Sequence, residues 1–251
     1  MERRPFNENQ LEGRNAVLEV LKSGRDIEKI IVLKGNVEGT IRRIVGMAKE
    51  RGIVVQEVVR QKLDEMSQTK NHQGVIAIVS EHEYSTVEDI LASAEEKGEK
   101  PFIIILDNIT DPHNLGAIIR TAECAGAHGI IIPKRRSVGL TAVVGKTSAG
   151  ALEYMPVARV TNIARTIEEL KEKGIWVACA DMGGDECFDA NLDGAIALVI
   201  GSEGEGVSRL VKEKCDFVVS IPMYGKISSL NASVAGALLM YEVVRQRNYK
   251  D

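Results

Sequence analysis

The chain has 251 residues, of which 44% are hydrophobic and only 4% aromatic, so it can bury one large core or two modest ones built from aliphatic side chains. Its formal net charge is −4, with +2 on residues 1–82 and −6 on the remainder, which excludes a globally basic nucleic-acid binder but allows RNA binding through a local patch. The four cysteines lack metal or CxxC spacing, and no signal peptide or long apolar run is present, which predicts free thiols, no metal and a soluble cytoplasmic protein.

Residues 1–82 are predicted to form a small α/β domain with a disordered polar tail at residues 1–9. Apolar residues at helical spacing predict helices at 9–21, 40–51 and 61–68, and short apolar runs predict strands at 30–33, 53–59 and 74–79. Residues 83–100 are rich in Glu, Ser, Ala and Lys and are predicted to be a linker that contains one surface helix.

Residues 101–251 are predicted to form a doubly wound α/β domain with a parallel sheet. Runs that are almost purely aliphatic fit strands covered on both faces, at 102–106, 129–132, 155–159, 176–180, 195–200 and 217–221. Helical spacing predicts helices at 117–125, 163–173, from 207 onward and at 232–245, with a helix or loop at 138–148. Gly183 and Gly184 are predicted to turn the chain.

The richest stretch is 195–240, where two buried strands each break into a polar loop and then a helix. The first loop has the spacing G-x-x-G-x-G, which is neither the G-x-G-x-x-G of a dinucleotide site nor a P-loop. Such glycines after a buried strand can simply form a tight turn. However, Glu203 lies between them and can reach a ligand. In the second loop, Ser229 and Asn231 are either helix caps or site residues.

Two residues near the start of the domain are also candidates. Asn114 lies in the first turn of a helix if that helix starts near Pro112. Arg120 sits among aliphatic residues, so it is either the partner in an internal salt bridge or a contact to an anion or ribose. His113 has no second ligand at metal-binding spacing, and no G-x-S-x-G elbow is present for Ser-His-Asp catalysis.

Three blocks together resemble the signature motifs of the SpoU/TrmH family of RNA ribose 2′-O-methyltransferases, in the SPOUT superfamily. They are DNITDPHNLGAIIRTAECAG at 107–126, LVIGSEGEGVS at 198–208 and IPMYGKISSLNASVAGALLMYE at 221–242. LEGRNAVLEVL at 11–21 and NHQGVIA at 71–77 resemble the substrate-binding domain of that family, which is similar to small RNA-binding ribosomal proteins. The combination is most similar to bacterial enzymes that methylate a guanosine of 23S rRNA.

The resemblance implies a deep trefoil knot in the C-terminal domain, and S-adenosylmethionine bound in it largely by backbone groups. The implied cofactor contacts are Gly201, Ile221 and Leu230, with Ala180 as a further one. The residues implied to surround the reacting atoms are Asn114, Arg120, Glu203, Ser229 and Asn231. The resemblance also implies a homodimer whose active site is completed at the interface.

The implied reaction is attack of a ribose 2′-hydroxyl on the sulfonium methyl group, without a metal: the S–CH3 bond breaks, S-adenosylhomocysteine leaves, and the hydroxyl proton passes to Arg120, to phosphate or to water. Arg120 is expected to contact the ribose and its phosphate, and Glu203 to orient Arg120 or the sulfonium side. RNA is expected to be recognised through Arg14 and the loop near His72 and Gln73. Three alternatives remain: a tRNA ribose methyltransferase, a non-catalytic RNA-binding or ribosome assembly factor, and a dinucleotide-dependent enzyme disfavoured by the glycine spacing.

Overall fold

The structure, a computed structural model, describes residues 9–35, 39–80 and 82–249. The chain divides into two compact units, Met1–Glu83 and Tyr84–Asp251. Apart from Asn9, the predicted polar tail lies outside the described residues. Among the helices that the structure describes, none is both long and apolar enough to cross a membrane.

The first unit is a mixed four-stranded sheet with helices on both faces. Its strands run in the order β1-β4-β2-β3, with β2 parallel to β3 and with β4 antiparallel to both β1 and β2. The strands are β1 Gln10–Glu12, β2 Ile27–Leu33, β3 Val54–Val58 and β4 Val75–Val79, and the helices are α1 Arg14–Lys22, α2 Gly39–Glu50 and α3 Arg60–Met66. The apolar faces of α1 and α2 cover one side of the sheet, and Leu63 of α3 packs on the other.

The helix predicted at 9–21 is wrong at its start. Residues 10–12 form strand β1, in which Leu11 pairs with Ala77 of β4, and the helix begins only at Arg14. Gly13 separates the two elements at φ +92°, a backbone conformation that glycine adopts without steric cost. Pairing with β4 therefore outweighs the helical spacing of the apolar residues in this segment.

The second unit contains a six-stranded sheet in which all neighbouring strands are parallel, as predicted. Its order is β10-β8-β9-β5-β6-β7. The strands are β5 Phe102–Leu106, β6 Gly129–Pro133, β7 Val157–Val160, β8 Trp176–Glu186, β9 Ile196–Ile200 and β10 Phe217–Ser220. The helices are α4 Val87–Glu96, α5 Pro112–Cys124, α6 Ala142–Thr147, α7 Ile163–Glu172, α8 Arg209–Lys214 and α9 Ala232–Asn248, with a 3-10 turn at Ala151–Glu153.

Both faces of this sheet are covered, which explains its purely aliphatic strands. In β5, Ile104 faces a core that includes residues of α5, α6 and α9, whereas Ile103 and Ile105 face a core that includes residues of α4, α7 and α8. Every residue of β5 and β9 is buried. These two central strands thus provide a rigid base for the loops that follow them.

Helix α4 lies inside the segment 83–100 that was predicted to be a linker. Its Thr86 cap forms a reciprocal capping box with Asp89, and its Ile90 is fully buried in the core of the second unit. Ile90 also packs directly on Gly129 of β6, where a Cβ atom would lie 2.4 Å from Cγ1 of Ile90. The segment is therefore an integral layer of the second unit and not a free connection.

The turn predicted at Gly183 and Gly184 is wrong. Strand β8 continues to Glu186, with a bulge in its pairing to β10: Val218 pairs with Cys179, whereas Val219 pairs with Asp185. Residues 180–184 are thus looped out. Gly184 permits this geometry, because a Cβ there would lie 2.2 Å from the carbonyl oxygen of Val218.

Candidate active site

The loops after β5, β9 and β10 leave the carboxyl edge of the same sheet. β5 and β9 are neighbours, and the chain continues from them to opposite sides of the sheet, the position at which open α/β sheets bind ligands. Helix α5 begins at Pro112, five residues before the predicted start, because Asp111 caps it by accepting a hydrogen bond from the backbone N of His113 at 2.9 Å. Asn114 is therefore in the first turn of α5.

One side chain from each of the three loops joins a single hydrogen-bonded cluster, which we call the amide–carboxylate cluster. Nδ2 of Asn114 donates to Oε1 of Glu203 at 2.9 Å, and Nδ2 of Asn231 donates to Oδ1 of Asn114 at 2.9 Å. Nδ2 of Asn231 also donates to Oε1 of Glu203. Oε2 of Glu203 accepts no hydrogen bond from a described residue, so one oxygen of this carboxylate stays available to a ligand.

Asn231 has a second, structural role. Its Oδ1 caps α9 by accepting hydrogen bonds from the backbone N of Ser233 at 2.9 Å and of Val234 at 3.3 Å. The helix-cap interpretation of Asn231 is therefore confirmed, whereas its role as a site residue stays a prediction. Because the cap fixes the carbonyl side of the amide, the Nδ2 side points at Glu203 and Asn114.

A pocket of about 400 Å³ lies against this cluster, a volume within the usual range of small-molecule sites. The bulge of β8, the glycine loop after β9, the loop after β10 and the first turns of α9 line it. Six of the residues singled out from the sequence are among the lining residues: Ala180, Gly201, Glu203, Ile221, Ser229 and Leu230. The looped-out part of β8, which the sequence did not predict, forms the wall of the pocket that includes Asp181 and Met182.

Gly201 is required by close backbone approach. A Cβ atom there would lie 2.1 Å from the carbonyl carbon of Gly206 and 2.3 Å from the backbone N of Val207. Residues 202 and 206 close the loop with two backbone hydrogen bonds, of 3.2 and 2.9 Å. Gly201 thus allows the loop after β9 to fold back, with the backbone of residues 206 and 207 directly against position 201.

Two polar contacts that the sequence interpretation missed support the pocket. The buried Asp107, directly after β5, accepts a hydrogen bond from the backbone N of Ser208 at 2.8 Å and so ties the end of the glycine loop to the central strand. Asp181 accepts a hydrogen bond from Nζ of Lys212 at 2.6 Å, and this bond raises the pKa of Lys212. An aspartate that immediately follows a buried parallel strand was the signal available for Asp107.

Arg120 is not part of the cluster within one chain. It is exposed on α5 and forms no ion pair with a described residue, so the internal salt bridge considered from the sequence is wrong. Six helical positions separate it from Asn114, which places it about 9 Å further along the helix and on a different face. The expectation that Glu203 orients Arg120 does not hold within the chain, because Glu203 contacts Asn114 and Asn231.

Ser229 lines the pocket but forms no hydrogen bond with a residue that the structure describes. His113 contacts only the carboxylate of Asp111 among the described side chains. Within residues 9–35, 39–80 and 82–249, no group of three His, Cys, Asp or Glu side chains could hold a metal ion.

The sequence matches two family models. Residues 101–241 match the model of the SpoU rRNA Methylase family, and residues 10–85 match the model described as RNA 2′-O ribose methyltransferase substrate binding. A Bacillus subtilis protein, YacO, whose name assigns it to TrmH family tRNA/rRNA methyltransferases, is 57% identical over 94% of this chain and 95% of its own length. A Staphylococcus haemolyticus protein of the same family name is 49% identical over the same shares.

Solved structures give the same result. The SpoU methyltransferase AviRb from Streptomyces viridochromogenes, in complex with the cofactor AdoMet, superposes with a TM-score of 0.60 at 26% identity, over 95% of this chain and 90% of that chain. An AdoMet-bound rRNA methyltransferase from Sinorhizobium meliloti superposes with a TM-score of 0.60 at 25% identity, over 96% and 88%.

Proposed function

This chain belongs to the SpoU rRNA Methylase family, and we propose that it transfers a methyl group from S-adenosylmethionine to a ribose 2′-hydroxyl of RNA. The observation that carries the proposal is the amide–carboxylate cluster at the edge of a pocket of about 400 Å³. A small ligand in the pocket and a polar group on the cluster would lie side by side, as a methyl donor and an acceptor hydroxyl must.

The pocket suits S-adenosylmethionine because part of its wall is the backbone of the glycine loop. Gly201 lines the pocket and carries no side chain, so a planar or ribosyl group could approach the backbone of the glycine loop there. Gly201, Ile221 and Leu230 would hold the adenosine, and Ala180 would contact it from the bulge of β8. S-adenosylmethionine supplies an activated methyl group on a sulfonium, so the protein itself need supply neither a metal nor a covalent nucleophile.

The cluster would orient the acceptor. Oε1 of Glu203 accepts from the side-chain amides of Asn114 and Asn231 and from the backbone N of Ala232 at 3.4 Å. Its Oε2 could accept a hydrogen bond from the ribose 2′-hydroxyl or stabilise positive charge nearby. Ser229, on the pocket wall, can position the same hydroxyl or the adjacent RNA backbone. Orientation of this kind accounts for much of the rate gain available to a reaction with an activated donor.

Arg120 would act from a second copy of the chain. On α9, which packs against α5, Val234, Leu238 and Tyr241 form an exposed apolar row at positions i, i+4 and i+7, with 46%, 49% and 52% of their surfaces accessible. Such a face suits a two-fold dimer. We propose that dimerisation brings Arg120 of one copy to the pocket of the other, where it contacts the ribose and phosphate.

The deep trefoil knot belongs to the same proposal. Strand β10 lies at the edge of the sheet beside β8, whereas α9 packs against α5 and β9. The segment 221–231 therefore crosses the carboxyl ends of the central strands, as a knot at the cofactor pocket requires.

The proposed substrate is a guanosine of 23S rRNA, which would make the protein a cytoplasmic rRNA-processing enzyme. The catalytic motifs do not distinguish rRNA from tRNA, and the choice of rRNA is supported by the resemblance of the N-terminal domain. In the first unit, the half-buried Arg14 donates through Nε to the carbonyl of Gln73 at 3.1 Å, which joins α1 to the loop near His72, the surface proposed for RNA. A tRNA ribose is the alternative substrate.

The test is methyl transfer from labelled S-adenosylmethionine to rRNA and, separately, to tRNA, both isolated from cells that lack this protein. Label in 23S rRNA that survives as an alkali-resistant dinucleotide is the expected result. Label in tRNA alone would replace the substrate but keep the reaction. Absence of both label and cofactor binding would leave the non-catalytic RNA-binding alternative.

Arg120→Ala tests the role of the arginine. Because Arg120 is exposed and has no ion-pair partner among the described residues, the variant is expected to fold normally and to bind S-adenosylmethionine like the wild type. Removal of a charge that stabilises the transition state typically lowers kcat by about 10²–10³-fold. Calorimetry and single-turnover methyl transfer measure the two quantities, and a near-normal kcat would contradict the assignment.

Mixing two inactive variants tests whether Arg120 acts across the dimer. If Arg120→Ala and Glu203→Ala chains exchange at random, half of the dimers are mixed, and each mixed dimer has one site with both native residues, so about a quarter of the sites regain activity. If Arg120 acts within its own chain, every site has one defect and no activity returns.

A further inference from the structure

A short basic loop follows β6 at the same edge of the sheet as the pocket. Lys134, Arg135 and Arg136 are consecutive, and the two arginines are exposed. Neither arginine forms a hydrogen bond or ion pair through its side chain with a described residue. No carboxylate occurs between Glu123 and Glu153, although residues 83–251 carry a net charge of −6. The basic loop is therefore a local cationic site in an acidic unit.

The backbone of the basic loop is held in place on both sides. The backbone N of Lys134 donates to the carbonyl of Val160 at 2.8 Å, and the backbone N of Val138 donates to the carbonyl of Ile109 at 3.0 Å. Arg136 has φ +59°, a left-handed conformation that is unfavourable for a residue with a side chain. The surrounding contacts thus fix the direction in which the two arginines leave the loop.

The position of the loop relates it to the active site. It is joined through Ile109 to the segment between β5 and α5, which leads to Asn114 of the amide–carboxylate cluster. β6 is two strands away from β9, which corresponds to about 10 Å at normal strand spacing. A group bound by the loop would therefore lie beside the reacting ribose and not on it.

We infer that the basic loop binds backbone phosphates of the RNA that flank the target nucleotide, an inference that rests on the proposed function. Planar guanidinium groups bind phosphate through paired N–H donors, and arginines without a carboxylate partner are available for this contact. The first unit selects the RNA, whereas the basic loop holds the strand across the carboxyl edge, so that the 2′-hydroxyl reaches the cluster.

The test is Arg135→Gln/Arg136→Gln, with Lys97→Gln/Lys173→Gln as the matched control. Lys97 and Lys173 are exposed, form no ion pair with a described residue, and follow α4 and α7 at the opposite edge of the sheet. Both variants therefore lose two positive charges from the same unit. A third variant, Arg135→Lys/Arg136→Lys, keeps the charge of the loop.

Binding of 23S rRNA from cells lacking the protein is measured between 50 and 300 mM salt, roughly the range in which phosphate contacts dominate affinity. Each phosphate contact adds about 0.7–0.9 to the steepness with which log affinity falls against log salt concentration, so loss of two contacts should lower that slope by about 1.4–1.8. Over the tenfold range from about 1 M to about 0.1 M salt, this change corresponds to an affinity about 25- to 60-fold lower at 0.1 M salt. The Lys variant should retain most of the slope, and the control should match the wild type.

Kinetics separate this inference from the proposed function. The Gln pair should raise the KM for RNA and leave kcat and S-adenosylmethionine binding unchanged. If Arg135→Gln/Arg136→Gln is active and its RNA binding has the salt dependence of the wild type, the inference is wrong but the proposed function is not. The same holds if Lys97→Gln/Lys173→Gln loses as much RNA affinity as the arginine variant. The wild type could also bind RNA without methylating it, while the salt dependence of binding is weaker in Arg135→Gln/Arg136→Gln. That result would support the phosphate site and contradict the proposed reaction.

Discussion

Asn231 allows folding and chemistry to be separated by one substitution. Its Oδ1 caps α9, whereas its Nδ2 donates to Glu203 and Asn114. Serine caps helices about as well as asparagine, so Asn231→Ser keeps the cap and removes only the amide donors. A hydrogen bond to a charged group contributes about 1.5–3 kcal/mol. If the Glu203 contact is needed in the transition state, its loss lowers kcat by about 10- to 150-fold, because each 1.36 kcal/mol changes a rate tenfold.

The control is Asn231→Ala, which removes the cap as well. Urea unfolding should give Asn231→Ser nearly the stability of the wild type, whereas Asn231→Ala should lose about 1 kcal/mol. Methyl transfer at saturating RNA should show the same loss of kcat in both. A wild-type kcat in Asn231→Ser, with a loss only in Asn231→Ala, would show that the cap is the whole contribution of Asn231 and would refute the role given to the cluster.

Two further predictions concern the glycine loop and the first unit. Gly201→Ala should lower S-adenosylmethionine affinity more than tenfold in calorimetry, since its Cβ would lie 2.1 Å from Gly206. Gly194→Ala is the control, because its Cβ would have open space around it and it does not line the pocket. Burial raises the pKa of Glu12, but hydrogen bonds from Thr69 and its neighbours outweigh it and lower the pKa to about 2. The stability from this carboxylate is therefore present above about pH 4.5 and is lost as the pH falls towards 2. In urea unfolding, Glu12→Gln should lower the free energy of unfolding by about 2 kcal/mol at pH 7 and by almost nothing near pH 2.

Strands that are buried on both faces were the most predictable elements. The predicted strand 102–106 is confirmed by β5, since an unbroken aliphatic run between a proline and an aspartate permits few other structures. The bulge of β8 could not be predicted, because Gly183 and Gly184 serve equally well as a turn and as a close approach, and only the pairing with β10 decides between them. Helix α4 was predicted as a surface element, but its burial depends on Gly129, a residue of another strand.

The candidate site shows the same limit. The motifs predicted Asn114, Glu203 and Asn231 as site residues, but hydrogen-bond partners 89 and 117 positions apart follow from the sheet order and not from spacing. The family resemblance led us to expect that Glu203 orients Arg120 or the sulfonium side, whereas in the structure the carboxylate is held by the side-chain amides of Asn114 and Asn231. Such a pairing leaves Arg120 available for a contact across the homodimer interface that the resemblance implies.

A net charge of −4 is compatible with a polyanionic substrate for a physical reason. At physiological ionic strength, charges further than about 8 Å away are largely screened, so RNA at the carboxyl edge responds to the nearest side chains and not to the charge of the whole chain. Those side chains include Arg135 and Arg136, with no carboxylate in the same stretch of sequence. In the proposed binding mode, the acidic remainder of the unit would disfavour binding elsewhere, and the RNA strand would be held where the glycine loop and the amide–carboxylate cluster can reach its ribose.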